Sequence, residues 1–565
     1  MNKHTAELLE RHFDTAFAAP DGIKKLRELI LTLAMQGKLV PQDPNDQPAS
    51  ELLKEIEAEK QRLVKAGKIK KPKPLPPVSE KEKPYALPQG WEWVRLGKIS
   101  TKLTDGSHNP PRDAGIGIPM LSSQNVANER IDFENPSRHV SQKDFDLENK
   151  RTAIEAGDVL LTIVASLGRP AVVPEDAPKF VLQRSVAVVR TAIVPHFLCK
   201  LFLSPICLDY YDTHAKGTAQ RGIYLGKLGE MPIPLPPLVE QHRIVAKIDE
   251  LMVRCDELEK LRAAQQEQRL TVHAAAIKQL LNIAEPEQHQ RAQTFLAEHF
   301  GELYTVKESV AELRKAILQL AVMGKLVPQD PNDQPASELL KKINSVKRKL
   351  EVEEGLRTSA APFVSQSEEL YGKPEGWSYC RLGNIGKFID YRGRTPKKVE
   401  TGVPLITAKN VRFGYINREP REYITSEEYD RWMTRGFPRV GDILFTTEAP
   451  LGNVAVIDIE EEFALAQRVI CLQLHVNETS AWLKNFMMSN SFQERLLLEA
   501  TGITAAGIKA AKLREMPVPF PPIAEQHRIV VKVNELMKLC DALDQQIEAS
   551  INKQAELLGA MMAQV

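Results

Sequence analysis

The string GKLVPQDPNDQPASELLK occupies Gly37–Lys54 and returns without a change at Gly324–Lys341. The doubling extends well beyond it. IKKLRELILTLAMQGKLV (Ile23–Val40) matches VAELRKAILQLAVMGKLV (Val310–Val327), and GWEWVRLGKI (Gly90–Ile99) matches GWSYCRLGNI (Gly376–Ile385). IPMLSSQNV (Ile118–Val126) matches VPLITAKNV (Val403–Val411), GDVLLTI (Gly157–Ile163) matches GDILFTT (Gly441–Thr447), and LQRSVAVVR (Leu182–Arg190) matches AQRVICLQL (Ala466–Leu474). The longest pair is KLGEMPIPLPPLVEQHRIVAKIDELMVRCDEL (Lys227–Leu258) with KLREMPVPFPPIAEQHRIVVKVNELMKLCDAL (Lys512–Leu543). Matched positions lie 284–287 residues apart, and twice that nearly exhausts the 565-residue chain. The period is far too long for a solenoid. The chain is two tandem copies of one unit, which implies pseudo-twofold symmetry within one molecule. The helix-forming ends are nearly identical, whereas the centres, 100–225 and 386–510, share only a skeleton. One scaffold carrying two different readers fits that pattern.

The frame is helical. Ile23, Leu26, Ile30 and Leu33 are spaced 3-4-3, as are Val310, Leu313, Ile317 and Leu320, an amphipathic stripe. After each Pro-Pro pair a narrower seam follows. Ile244, Ile248, Leu251, Cys255 and Leu258 form the first, and Ile529, Val533, Leu536, Cys540, Leu543 and Ile547 the second. Such a seam predicts coiled coil, and Pro236–Pro237 and Pro521–Pro522 suit a helix start. The first helix is expected to run to about Ala284, spanning roughly 65–70 Å, which favours helices holding two domains apart over packing on their own domain. In the identical string, Pro, Asp and Asn hold turn positions, and Ser50 and Ser337 are placed to cap helices starting at Glu51 and Glu338. Its identity fits either two equivalent surfaces for two identical partners or a recent duplication with no partner. KAGKIKKPKPLPPVSEKEKP (Lys65–Pro84) reads as an exposed linker rather than a phosphate contact. Its counterpart near Glu351–Gly372 differs in composition.

Net charge is +1, so any basic surface must be local. The six cysteines (Cys199, Cys207, Cys255, Cys380, Cys471, Cys540) have neither CxxC nor zinc spacing. They predict reduced, buried thiols and no metal. MNKHTAELLERHF lacks a signal-peptide core, and no apolar run reaches membrane-spanning length. A cytoplasmic protein is expected.

DVLLTIVAS, PAVVP and SVAVVRTAIV predict strands, and PHFLCKLFLSPICLDYY and SAWLKNFMMSNSFQERLLLEA predict helices, so each centre is a mixed α/β domain. No phosphate loop, dinucleotide fingerprint or HExxH appears. HNPPR (His108–Arg112) is like the Asn-Pro-Pro-aromatic loop of amino-methyltransferases, but Arg112 replaces the aromatic residue and no cofactor loop precedes it. A turn or a DNA contact is the better account. The groups suited to phosphates and base edges occur in facing positions of the two copies. In the first they are Thr104, Asp105, Ser107, His108, Asn109, Arg112, Gln124, Asn125, Arg169, Arg184, Gln220, Arg221 and Tyr224. In the second they are Tyr391, Arg392, Arg394, Lys397, Lys398, Lys409, Asn410, Asn453, Arg468, Thr504 and Lys509. Residues that differ between copies are expected to read sequence, and shared ones, such as the Gln-Arg pair at 183–184 and 467–468, to build the frame.

The two MPIPLPPLVEQHRIVAKIDEL/MPVPFPPIAEQHRIVVKVNEL segments, the LPQGWEWVRLG/KPEGWSYCRLG openings and the AGDVLLT/VGDILFT strands resemble those of type I restriction–modification specificity subunits over nearly the whole length. LAMQGKLVPQDP resembles the subset with a long conserved N-terminal region. The resemblance implies an α/β (α+β) architecture of two target recognition domains, 86–235 and 372–520, separated by long antiparallel coiled-coil helices. Around them lie an N-terminal helical region with its Lys/Pro-rich linker (1–85), a central conserved region (236–345), a linker (346–371) and a C-terminal helix (521–565). It further implies a non-catalytic reader of a split, asymmetric site in double-stranded DNA, with helices that set the spacer. The expected partners are two modification subunits, which carry S-adenosylmethionine and methylate adenine N6, and two motor-nuclease subunits, which use ATP and Mg2+. No cofactor is expected on this chain. Recognition of half-sites one turn apart needs roughly 34 Å between readers, within reach of such helices. The alternative is a two-headed coiled-coil adaptor that binds proteins rather than DNA.

Overall fold

The computed structural model describes residues 3–217, 220–282, 285–353, 355, 362–391, 396–502 and 506–564. The chain divides into two compact units, Met1–Gln265 with Ser550–Val565, and Gln266–Ala549. Each holds the same three principal sheets, and the first adds the short pair Val126–Ala127 with Arg130–Ile131, which is a single bridge, Val411 to Ile416, in the second. In the first unit a four-stranded antiparallel sheet runs in the order Ser100–Asp105, Val186–Thr191, Val159–Thr162, Pro170–Val172. Beside it lie a three-stranded sheet of Arg138–Val140, Ile118–Leu121 and Val181–Leu182 and a pair formed by Glu92–Arg95 with Pro232–Leu235. The second unit repeats this with Gly386–Asp390, Val469–Leu474, Ile443–Thr447 and Leu451–Val456. Its smaller sheets are Tyr423–Ile424, Val403–Ile406 and Ala464–Leu465, and Ser378–Arg381 with Pro517–Phe520. The β-branched runs of the sequence become the central, fully buried strands, and the two apolar runs become the helix pairs Pro195–Phe202/Pro205–His214 and Ser480–Met488/Asn490–Glu499.

Two long helices, Leu238–Leu281 and Ile523–Met562, follow the Pro-Pro pairs. At 1.5 Å per residue they extend about 66 and 60 Å, and they fit the coiled-coil segments expected of the sequence. Residue 284, the expected end of the first, lies outside the described residues. Part of the seam has a second role. The start of the first seam buries on its own unit: Ile244, Ile248 and Cys255 join a core with Ile23, Ile30, Phe197 and Leu201. Arg27 fixes the helix Gly22–Met35 to this surface through Asp256 at 2.6 Å and Glu259 at 2.8 Å. In the second unit Arg314 does the same with Asp541 and Asp544, both at 2.8 Å. The first unit closes at its other end where Ala16, Phe17, Ala19 and Leu29 pack with Leu558 and Met561.

The identical string clamps the long helix. Gln42 donates to Glu240 at 2.6 Å, Trp91 Nε1 to the other oxygen of Glu240 at 2.9 Å, and Arg243 pairs with Asp46 at 2.5 Å. Gln329, Trp377, Glu525, Arg528 and Asp333 repeat these at 2.6, 2.9 and 2.6 Å. Burial pushes the Glu240 and Glu525 carboxyls up from the ordinary range, against the hydrogen bonds from the tryptophans and glutamines. Gly37 and Gly324 hold left-handed backbone, and an added Cβ would lie 2.4 and 2.5 Å from Pro88 and Pro374 Cγ. No other residue fits there. Both helices begin one residue before the expected serines, at Ala49 and Ala336, so Ser50 and Ser337 lie in the first turn rather than at the cap.

The Lys/Pro-rich segment is exposed but is no free linker. Arg95, buried, donates to Pro76 O at 3.1 Å, Pro77 O at 3.0 Å and Glu230 O at 2.6 Å, and pairs with both oxygens of Glu82 at 2.7 and 2.8 Å. Arg381 repeats the set with Pro362, Phe363, Glu515 and Glu368. These guanidiniums, helped by Ser79 and Ser365, hold Glu82 and Glu368 down at about 2. All six cysteines are buried and none forms a disulfide. Among the described residues no helix is long and apolar enough to cross a membrane, and no cluster suits a metal ion.

Candidate nucleic-acid interface

In the first unit the strands bring five segments to one end of the large sheet. Strand Ser100–Asp105 runs out into Ser107, which bridges to Gln183 in parallel register. Ser107 N donates to Leu182 O at 2.7 Å and Arg184 N to Ser107 O at 2.9 Å. Gly106 is required by that closeness, because a Cβ there would lie 2.1 Å from Leu182 O. Ile163 N donates to Ser185 O, Ser123 N to Ser185 Oγ and Ala165 N to Arg221 O, at 2.9, 3.0 and 2.9 Å. His108, Asn109, Arg112, Gln124, Arg169, Arg184, Gln220, Arg221 and Tyr224 are exposed on these segments. Arg221 is tethered to Asp212, by its side chain at 3.0 Å and its carbonyl at 2.6 Å. Four arginines with hydroxyl, amide and imidazole groups on one surface can contact phosphates and base edges together.

The second unit gathers the matching segments. Ala466 N donates to Ile406 O, Thr447 N to Arg468 O, and Ile508 N to Thr447 O, at 2.9, 2.9 and 3.0 Å, while Glu448 bridges to Gly507. Lys409, Arg468 and Lys509 are exposed there, as are Lys397 and Lys398 on the neighbouring segment. Lys398 pairs with Glu422 at 2.7 Å and Arg468 lies 3.6 Å from Glu448. Arg392, Arg394 and Thr504 lie outside the described residues. Ala165, Ala449 and Arg468 hold left-handed backbone at φ 66°, 46° and 73°, local strain of the kind that accumulates at binding loops.

Several expected readers face inward instead. Asn125 is buried and uses its whole amide: Nδ2 donates to Asp132 O at 3.1 Å and Asn135 O at 2.7 Å, and Oδ1 accepts from Ser122 N at 2.9 Å. Asn410 does the same with Asn417, Pro420 and Thr407 at 3.1, 3.1 and 2.9 Å. Both are loop staples rather than surface groups. Asp105 and Ser107 are buried and bonded to neighbours, and Thr104 is half-buried within its strand. Tyr391 is buried against Trp432, its hydroxyl donating to Gly436 O at 2.6 Å and accepting from Arg435 N at 3.1 Å. Asn453 turns its amide to Val411 O at 2.9 Å.

Sequence reasoning missed the residues that fasten these loops. Arg151 donates to Asp105, Glu148 accepts from Ser107, and Arg138 donates to Pro111 O at 2.7 Å. Arg435, at the position matching Arg151, donates to Asp390 O. A readable signal exists: with a spacing of 284, an arginine recurs in both copies, in the last turn of helix Gln142–Thr152 in the first and just past helix Ser426–Trp432 in the second.

The type I restriction modification DNA specificity domain matches this sequence twice, over 88–268 and 374–553. The EcoAI specificity subunit of a type I restriction enzyme from Escherichia coli is 35% identical, over 96% of this chain and 93% of that protein. The EcoEI specificity subunit, also from Escherichia coli, is 32% identical with the same coverage. The solved HsdS subunit from Thermoanaerobacter tengcongensis aligns at TM-score 0.41 and 19% identity, covering 86% of this chain and 98% of that one.

Proposed function

This chain belongs to the type I restriction–modification DNA specificity family, and on that premise we propose that its two units read the two halves of one split, asymmetric DNA site. A specificity subunit is the non-catalytic component of such a system and works with modification and restriction subunits on DNA. In the proposal the loop cluster of the first unit reads one half-site, that of the second unit reads the other, and the two long helices set the spacer. Two adenine-N6 methyltransferase subunits, carrying S-adenosylmethionine, join this chain for modification. Two motor-nuclease subunits, using ATP and Mg2+, join for restriction.

One observation carries the reading. Equivalent loops sit at the same end of equivalent sheets, held by a shared frame, yet their exposed groups differ between the units. A protein that reads two unlike half-sites needs that combination. Two equal docking partners are supported by the identical string. Its Gln42 and Asp46 clamp the helix, but Asp43, Pro44, Asn45 and Gln47 are exposed and recur unchanged as Asp330, Pro331, Asn332 and Gln334. The clamp explains part of the identity, and those exposed turns offer the same surface twice.

Base-resolved, single-molecule methylation sequencing of host DNA, with the gene present and deleted, tests the proposal. A split adenine-methylated motif that vanishes on deletion is the expected result. If the methylated motifs do not change while the modification partners are expressed, the half-site reading is refuted and the adaptor reading takes its place.

A further inference from the structure

In the first unit the sheet ends on a carboxylate with two partners. Asp105 is 6% exposed. Its Oδ2 lies 2.8 Å from His108 Nε2, and its Oδ1 accepts from Arg151 Nη2. The intervening turn is held to the same helix, Gln142–Thr152, because Ser107 Oγ donates to Glu148 at 2.9 Å. Glu148 and Arg151 are three residues apart and therefore share a helix face. Arg184 N bonds to Ser107 O from a third direction. The His108 side chain, 53% exposed, emerges from this fastened turn among the exposed groups of the loop cluster.

A carboxylate only accepts hydrogen bonds. Nε2 of His108 is therefore the donor to Asp105, and Nδ1 is the ring atom left for a ligand; it has no partner among the described residues. We propose that His108 reads a base edge of the first half-site through Nδ1, and that Asp105 and Arg151 are positioning residues that lock its tautomer. This inference rests on the reading of the first unit as a half-site reader.

The chemistry follows from the lock. In the neutral ring Nδ1 accepts, which matches the exocyclic amino groups of adenine and cytosine in the major groove. In the protonated ring Nδ1 donates, which matches guanine N7 and O6 or thymine O4. The charged groups facing the turn are Asp105 from the strand, Glu148 and Arg151 from the helix, Arg184 from the turn after Leu182, and Arg138 on Pro111 O. Moving the ring proton to Nδ1 therefore exchanges one set of bases for the other at a single base pair. Among the described residues no histidine directly follows the matching strand, Gly386–Asp390, of the second unit. The sequence places Gly393 where the first copy has His108, and Arg435 holds the backbone of Asp390.

The test uses the full chain assembled with its modification partners. Methylation rates are measured on duplexes carrying every substitution in each half-site. H108A should lower the preference at a single base pair of the first half-site by about three- to tenfold, with the second half-site unchanged. D105N is the decisive variant. An asparagine there can accept from Arg151 and donate to Nε2, which moves the ring proton to Nδ1, so the variant should exchange a base that offers an amino group for one that accepts. A positioning role that is merely structural would lower all rates without moving the preference. The proposal is overturned if H108A keeps the wild-type preference or if D105N keeps the wild-type base. A wild type that methylates no split site overturns the half-site reading itself.

Discussion

Replacing Arg95 by Met tests whether the proline segment is held as the geometry indicates. Five hydrogen bonds are lost together, three to the carbonyls of Pro76, Pro77 and Glu230 and two to the oxygens of Glu82. The Arg95 side chain is 7% exposed, so the three carbonyls lose their donor in a protected place, whereas Glu82 is 38% exposed and can rehydrate. Removing one partner of a buried pair costs about 3–5 kcal/mol. Rehydration of Glu82 puts R95M near the low end, about 3 kcal/mol. For a unit of this size that lowers Tm by about 6–12 °C. Calorimetry of the full chain reads the shift, and limited trypsin cleavage after Lys68 and Lys70, whose following residues are not proline, localises it to the released segment. R95K should recover only part of the loss, since one ammonium cannot replace the planar fork. R381M supplies an internal control with the same partners in the second unit. A melt within about 2 °C of wild type for R95M, with unchanged cleavage, would refute the reasoning.

Asn125→Ala should cost about 2–3 kcal/mol, because its amide closes three backbone bonds; the loosened loop should relax methylation specificity at the first half-site only, while exposed Gln124→Ala leaves Tm unchanged. Acid stability should fall as Glu82 and Glu368 are protonated. Their folded values, about 2, lie below the ordinary carboxylate value, so the contribution is complete above about pH 4.5 and is lost as pH falls towards 2. Urea midpoints measured from pH 5 to 2 should be flatter in the double variant E82Q/E368Q, and an unchanged acid limb would contradict the assignment. A heptad inserted after Leu258 lengthens the first long helix by about 10 Å, or three base pairs. Methylation sequencing should then find a longer spacer between unaltered half-sites, and an unchanged spacer would remove the helices from that role.

The repeat, the strand segments and the helix pairs were legible because each depends on local pattern: β-branched runs, Pro-Pro boundaries and a recurrent spacing. The candidate surface was legible in part. Exposed Arg112, Arg184 and Lys409 lie where turn composition placed them. Asn125, Asn410 and Tyr391 did not, because a polar side chain in a turn serves the backbone as readily as a ligand, and only the fold brings the carbonyls of Asp132 and Asn135 to Asn125. Arg151 escaped for the same reason, being 46 residues from Asp105. The seam of the first long helix was read by period, and period cannot say what a stripe faces. Helix Gly22–Met35 and the apolar run Pro195–Phe202 meet it first.

The pocket that Leu558 and Met561 fill against Phe17 and Leu29 joins helix Lys3–Phe17 to the far end of helix Ile523–Met562. At about 5–20 residues per second, roughly half a minute to two minutes separates the synthesis of the two faces. Until then Phe17 and its neighbours stay greasy and open, as a chaperone or protease would recognise them. A chain broken off before Leu558 never closes that seam, and its exposed phenylalanine marks it for removal.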